Sequence, residues 1–496
     1  MMEECEGTKK AVVIGAGLGG LATAIRLQAK GYDTEVLELN DRPGGRACVY
    51  EQDGFRFDAG PTILTAPFLI DELFALGDRR THDYVDIVPC DPFYRVVFTD
   101  GSEINYRGGK ENLLKEIRRL SPSDEAGFER FARFSERVFK RGFIDLADQP
   151  FKSIWDMAKV APDMMKLQAY RSVYDVAASY VKDPRLRFIF SFHPLFIGGS
   201  PFQTSALYAM VHHLELKWGV HYCMGGTGKL VEALVKHFEK LGGKLRLSCG
   251  VTQIALEGNK ATGVHLDTGE KIDADVVVSN ADVATTYGKL LPAGASRRWN
   301  ADKLRRTEYS MGLFIIYFGL DKKYDSLEQH TIVLSERYRE LINDIFKRKI
   351  LAEDFSLYLF NPSKIDPSVA PEGCSACYVL SPVPNLQADI DWEKIKESYA
   401  DKILASLEKL CPDLRKHIVS KKIITPVDFQ SRFQAWDGNA FSIAPTLFQS
   451  AWFRPHNQSE DIENLYIAGA GTHPGAGVPG VLCSAKIIEK LVPGVG

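Results

Sequence analysis

Residues 15–20 read GAGLGG, and each glycine at that spacing has a physical task beside a phosphate. Gly15 permits a tight turn from strand to helix, Gly17 lets the backbone approach a pyrophosphate, and Gly20 lets helix and strand pack closely. The free N–H groups of the helix N-terminus then face the phosphates. Glu38 follows Gly20 by 18 residues. Its carboxylate can accept hydrogen bonds from ribose hydroxyls and would repel a 2′-phosphate. A GxGxxG pattern alone is weak; here the strand, the helix and the acid all stand in place, which predicts a dinucleotide site rather than a plain turn.

Two further clusters bear on the same chemistry. Arg42-Pro43-Gly44-Gly45-Arg46 follows the second strand, and Asp58-Ala59-Gly60-Pro61-Thr62 comes soon after. Gly44 and Gly45 allow close backbone approach, and Arg46 can neutralise a phosphate; the bland alternative is a basic surface loop. Residues 464–486 read NLYIAGAGTHPGAGVPGVLCSAK. The glycines at 469, 471, 475, 477 and 480 let backbone lie against a flat ring, and Pro479 suits the first position of a closing helix. The N-terminus of that helix can stabilise negative charge on a reduced ring system.

The elements that must hold these residues can be read around them. KAVVI at 10–14 is a short buried strand, and Leu18, Leu21, Ile25 and Ala29 mark one face of a helix that Gly31 stops. TEVLEL at 34–39 is the next strand. A second α/β segment starts near Gly228, with short strands ending in DVVVS at 275–279, and a third closes the chain. The long inserts between them hold most of the aromatics. The expected fold is α/β (α+β): a Rossmann-like dinucleotide domain from residues 8–80, 221–290 and 456–496, with a discontinuous substrate domain from 81–220 and 291–455.

Composition narrows the field. The chain has 496 residues, 45% apolar and 25% charged, with 61 Lys plus Arg against 64 Asp plus Glu. That balance gives no electrostatic case for nucleic acid. The N-terminal MMEECEGTKK lacks the apolar stretch of a secretory signal, and nine cysteines from Cys5 to Cys483 read as reduced thiols of a cytoplasmic protein. Cys374 and Cys377 form a lone CxxC with no answering pair, so no metal site is expected. Residues 188–214 carry no charge, yet their prolines, glycines and histidines suit a protein interior or tunnel wall rather than a membrane span.

The arrangement around Arg46 resembles the flavin-containing amine oxidase superfamily, whose members bind FAD this way. Nearly end to end, the chain closely resembles the bacterial-type phytoene desaturases. The resemblance runs through GAGLGGLATAIRLQAKG, RPGGRACVYEQDGFRFDAGPT, LQAYRSVYDVAASYV, FSFHPLFIGG, GGTGKLVEAL, VVSNADV, SAWFRPHN and GAGTHPGAGVPG. It implies stepwise desaturation of phytoene or a related C40 polyene towards lycopene. Hydride would leave to FAD, a proton to a base, and quinone or oxygen would reoxidise the flavin. The expected FAD contacts are Gly15, Ala16, Gly17, Gly20, Glu38, Gly45, Arg46, Gly60, Pro61, Thr62, Val251, Gly471, Gly480 and Val481. The family's acid–base aspartate falls on Asp156 in FKSIWDMAK, and a neighbouring arginine is replaced by Lys159, which keeps charge but loses the bidentate fork. Other carotenoid-modifying flavoenzymes, an isomerase or a 3,4-desaturase, and prenyl-protein-binding modules of the GDP-dissociation-inhibitor type remain as alternatives. A hydrocarbon substrate implies attachment to a membrane surface. Phe128, Phe131, Phe134 and Val138 share one helical face opposite Arg130, Arg133 and Arg137, a pattern that suits an interfacial anchor or a helix packed on the core.

Overall fold

A computed structural model describes residues 8–151 and 153–495; Cys5 and the acidic N-terminal stretch before residue 8 lie outside the described residues. Two sheets organise the chain. The first has five parallel strands: β1 (Lys10–Ile14), β2 (Asp33–Leu37), β3 (Lys244–Arg246), β4 (Val276–Ser279) and β5 (Leu465–Ile467), in the spatial order β5-β4-β1-β2-β3. Parallel sheets are covered on both faces, which is why β1 reads as a nearly unbroken apolar run. Ala11 and Val13 face the helices Leu18–Ala29, Thr227–Lys240 and Val478–Leu491, and Val12 and Ile14 face the three-stranded antiparallel sheet of residues 251–273. Three distant parts of the sequence thus share one layer.

The second sheet has seven strands, running in space Ile418–Ile424, Gly312–Leu320, Ser375–Val383, Leu357–Phe360, His330–Val333, Tyr94–Val97, Glu103–Tyr106. The strand Gly312–Leu320 is buried along its whole length. Strand periodicity sends Phe314, Ile316 and Phe318 to the helix Trp392–Leu407, and Leu313, Ile315 and Tyr317 to the opposite side. Cys377 lies buried inside the strand Ser375–Val383, where burial pushes its thiol up, and Cys374 lies just before that strand.

The uncharged stretch 188–214 is broken by its prolines and glycines. It spans the end of the helix Pro184–Ile189, the single turns His193–Ile197 and Ala206–Ala209, and the start of the helix Met210–Trp218. No helix among the described residues is long and apolar enough to cross a membrane. Of the two readings of residues 128–138, an interfacial anchor or a helix packed on the core, the structure selects the second. Phe128, Phe131, Phe134 and Val138 are buried, and Phe128 and Phe131 stack on Phe190 at 5.5 and 4.8 Å. The face that would enter a bilayer is already packed in the core, and the arginines opposite face solvent.

Candidate active site

A cavity of 830 Å³ lies between the two sheets and is lined by both. One end is made of backbone and a few polar groups; the other is aromatic and aliphatic.

The polar end gathers most of the expected dinucleotide residues. Gly15 takes a φ of +93° as β1 turns into its helix, and its N–H donates to the Leu37 carbonyl at 2.7 Å. Gly15, Gly17, Glu38 and Val251 line the cavity; Ala16 and Gly20 stand one layer behind it. Gly20 is dictated by packing, since a Cβ there would lie 2.1 Å from the Gly15 carbonyl oxygen. The Glu38 carboxylate is buried, accepting from the Ala16 N–H at 2.8 Å and from the Asn40 backbone and side-chain N–H groups at 3.0 and 2.8 Å. With both Oε1 sites taken by Asn40, it keeps about one lone-pair site, on Oε2, for a ribose hydroxyl. Asn280, just after β4, closes the turn from behind: its N–H donates to Ile14 O at 2.8 Å, and its amide packs under Gly17 and Gly19. It lies in the VVSNADV segment, but periodicity gives it no role, and only the placement of β4 beside β1 does.

Gly45, Arg46, Gly60, Pro61 and Thr62 form the next part of the wall. A Cβ on Gly60 would fall 1.9 Å from the Arg46 carbonyl oxygen, so the two motifs pack as one unit. The Arg46 guanidinium sits 3.8 Å from Asp282 and 3.4 Å from the Asn439 carbonyl, while its buried Nε has no hydrogen-bond partner among the described residues. Burial pulls the guanidinium below the usual arginine range, and Asp282 opposes that pull. Gly471, Gly480 and Val481 complete the wall at the start of the helix Val478–Leu491. That helix begins one residue before Pro479; the missing N–H still costs nothing there, because first-turn N–H groups have no intrahelical partner.

The apolar end is built from Phe188, Phe192, Leu195, Phe196 and Ile197 of the uncharged stretch, facing Leu313, Ile315, Ile332 and Leu380 of the seven-stranded sheet. Two buried polar groupings lie in its wall. Thr62 Oγ is 3.0 Å from both the Tyr358 and Tyr378 hydroxyls, and Tyr358 continues to His330 Nδ1 at 2.6 Å. Glu215 meets Tyr94 and His193. Neither grouping is visible in the sequence, where their members lie up to hundreds of residues apart without a motif. Asp156 is not among the lining residues. It sits in the first turn of the helix Ile154–Lys166, accepting from the Ser153 N–H and hydroxyl at 3.0 and 3.2 Å, with Lys159 at 3.8 Å.

The family described as flavin containing amine oxidoreductase matches residues 18–487, and the chain belongs to it. Within that class it is similar to the lycopene-forming phytoene desaturase of Pantoea ananas, with 48% identity over 98% of this chain and 99% of the relative. It is also similar to the neurosporene-forming phytoene desaturase of Cereibacter sphaeroides, with 45% identity over 98% and 94%. In fold it is similar to an oxidoreductase from Methanosarcina mazei, with a TM-score of 0.67 at 20% identity over 97% of this chain and all of that one.

The protein is therefore an FAD-dependent oxidoreductase, and the cavity suits that cofactor on its own terms. It offers a half-buried guanidinium whose buried Nε–H has no partner among the described residues, a fixed carboxylate beside a glycine turn, and two helix N-termini. These are the groups that a pyrophosphate, a ribose and an electron-rich ring require.

Proposed function

We propose that the protein is a phytoene desaturase, which introduces double bonds stepwise into a C40 polyene and forms lycopene. The observation that carries this is the 48% identity over essentially the whole of both chains to a lycopene-forming desaturase. The cavity agrees with it chemically. A hydrocarbon offers no hydrogen bond, so affinity has to come from apolar burial at roughly 25 cal/mol per Å², and the aromatic end of the cavity supplies such a surface.

In this reading Glu38 takes the ribose, Arg46 and the Gly15–Gly17 turn take the pyrophosphate, and Val251, Gly471, Gly480 and Val481 bound the ring systems. FAD, when bound, supplies the acceptance of two electrons. The chain itself positions the allylic carbons, excludes water and holds a proton. Quinone or oxygen would be the acceptor to which those electrons pass on. The proposed division into an FAD-binding part (8–80, 221–290, 456–496) and a substrate part (81–220, 291–455) is supported by the strand assignments, since the parallel sheet draws only on the first set and the seven-stranded sheet only on the second.

An insoluble substrate has to be collected from a bilayer, and the proposed contact is the segment 144–170. Trp155 is 73% exposed and Met165 62%, with Ile144, Ile154 and Tyr170 also exposed. Gly142, Phe143 and Ala147, beside Ile144, line the cavity, so a lipid surface at this patch would lie next to its apolar end. Trp155→Ala with Met165→Ala is expected to weaken co-sedimentation with liposomes. Unchanged sedimentation would move the contact elsewhere.

The test of the activity is reconstitution with FAD, liposomes and phytoene. The expected product has polyene absorption bands at longer wavelength, and the extent of the shift separates lycopene from a shorter chromophore. Bound flavin without any new band, or a product isomerised at unchanged hydrogen content, would overturn the proposal.

A further inference from the structure

Desaturation removes a proton as well as a hydride, and the apolar end of the cavity contains a pair suited to the proton. Glu215, on the helix Met210–Trp218, is 1% exposed, and its Oε1 accepts from the Tyr94 hydroxyl at 2.6 Å. Its Oε2 lies 2.9 Å from Nε2 of His193, which stacks on Phe192 with ring centroids 4.3 Å apart. Both Glu215 and His193 line the cavity.

The groups around the pair are all held neutral. Burial, reinforced by the adjacent Glu215, keeps the Tyr94 and Tyr106 hydroxyls protonated. Burial keeps His212, which is hydrogen-bonded to Tyr106 at 2.7 Å, unprotonated. His330, 6.1 Å from the Tyr94 ring, is likewise held down, to about 3. A carboxylate and an imidazole in hydrogen-bond contact, ringed by neutral donors and facing an apolar chamber, can exchange one proton without any neighbour taking it up.

We propose that the His193–Glu215 pair receives the proton of each desaturation step. This rests on the desaturase reading above. With Nε2–H donating to Glu215, Nδ1 of His193 is the basic nitrogen. The C–H bond next to the hydride-donating carbon breaks, its proton passes to His193, and its electron pair becomes the new π bond. The hydride leaves with its own pair to oxidised FAD. Glu215 is a positioning residue, holding the tautomer and balancing the imidazolium.

The test uses flavin-loaded protein, mixed without oxygen with phytoene-bearing liposomes, and follows bleaching of the flavin band. His193→Asn is expected to retain FAD and to slow bleaching roughly 10²- to 10⁴-fold. Glu215→Gln is expected to slow it less and to displace its pH dependence. Ring nitrogen NMR of ¹⁵N-histidine-labelled holoenzyme gives a second readout, independent of turnover and of whether a variant folds well. Wild-type His193 is expected as the neutral Nε2–H tautomer. Wild-type bleaching in the His193 variant, or an Nδ1–H tautomer in the wild type, overturns the inference. A wild-type protein that binds FAD but never bleaches with phytoene fails the desaturase reading instead.

Discussion

The two ends of the cavity are built by different rules. The flavin end is made mostly of main chain: tight glycine turns and helix N-termini, with two charged side chains, Glu38 and Arg46, beside them. The substrate end is made of side chains from the seven-stranded sheet and from broken helices, with no backbone motif at all. Backbone sites demand particular residue types at particular spacings, whereas an apolar wall accepts any side chain of suitable volume. The flavin end should therefore fail sharply under single changes, and the substrate end gradually.

The largest expected effect is at Gly17. Its Cβ would lie 2.8 Å from Asn280 Nδ2 in the middle of the turn, so Gly17→Leu should abolish flavin retention, read as loss of the yellow band after gel filtration. Full retention would mean the turn is not the pyrophosphate site. Arg46→Met comes next. Losing a charge-assisted contact of roughly 1.5–3 kcal/mol should weaken FAD binding about 10- to 100-fold, measured by titration of the FAD-free protein.

Two buried groups outside the cavity lining respond to pH in opposite directions. Burial raises the Asp58 carboxyl from 3.8 to about 6. Between those values the folded state holds a proton that the unfolded chain releases, so stability falls by about 3 kcal/mol as pH rises from about 4 to 6. Burial lowers His330 from 6.5 to about 3. Here the unfolded chain holds the extra proton, so stability rises with pH over that window, by on the order of 5 kcal/mol. Urea midpoints across the range should lose the decline in Asp58→Asn and the rise in His330→Gln. The same slope in variant and wild type would contradict the assignment. A smaller effect is expected for Thr62→Val, where the Tyr358 and Tyr378 hydroxyls lose a shared partner; about 1–3 kcal/mol of stability should disappear.

Much of the flavin end was legible in the sequence, because a glycine turn, an acid after the second strand and a glycine-rich C-terminal run are each forced by local geometry. Even there, Ala16 and Gly20 turn out to support the wall rather than line it, and Asn280 needed β4 beside β1 to acquire a place. The tunnel wall at 188–214 could be read from its breakers and missing charges. The Glu215 and Thr62 groupings could not, because contacts such as Thr62 with Tyr378 arise only when distant strands pair. The helix at 125–139 is the opposite case: amphipathic periodicity is the same for a core helix and an interfacial one, and only Phe190 and its neighbours decide between them.

The decisive quantity is the stoichiometry of a single anaerobic turnover. If one cavity holds both cofactor and polyene, each flavin bleached should yield one new carbon–carbon double bond in phytoene, without nicotinamide. Flavin that stays bound and oxidised beside captured phytoene, or double bonds that appear without bleaching, would contradict it.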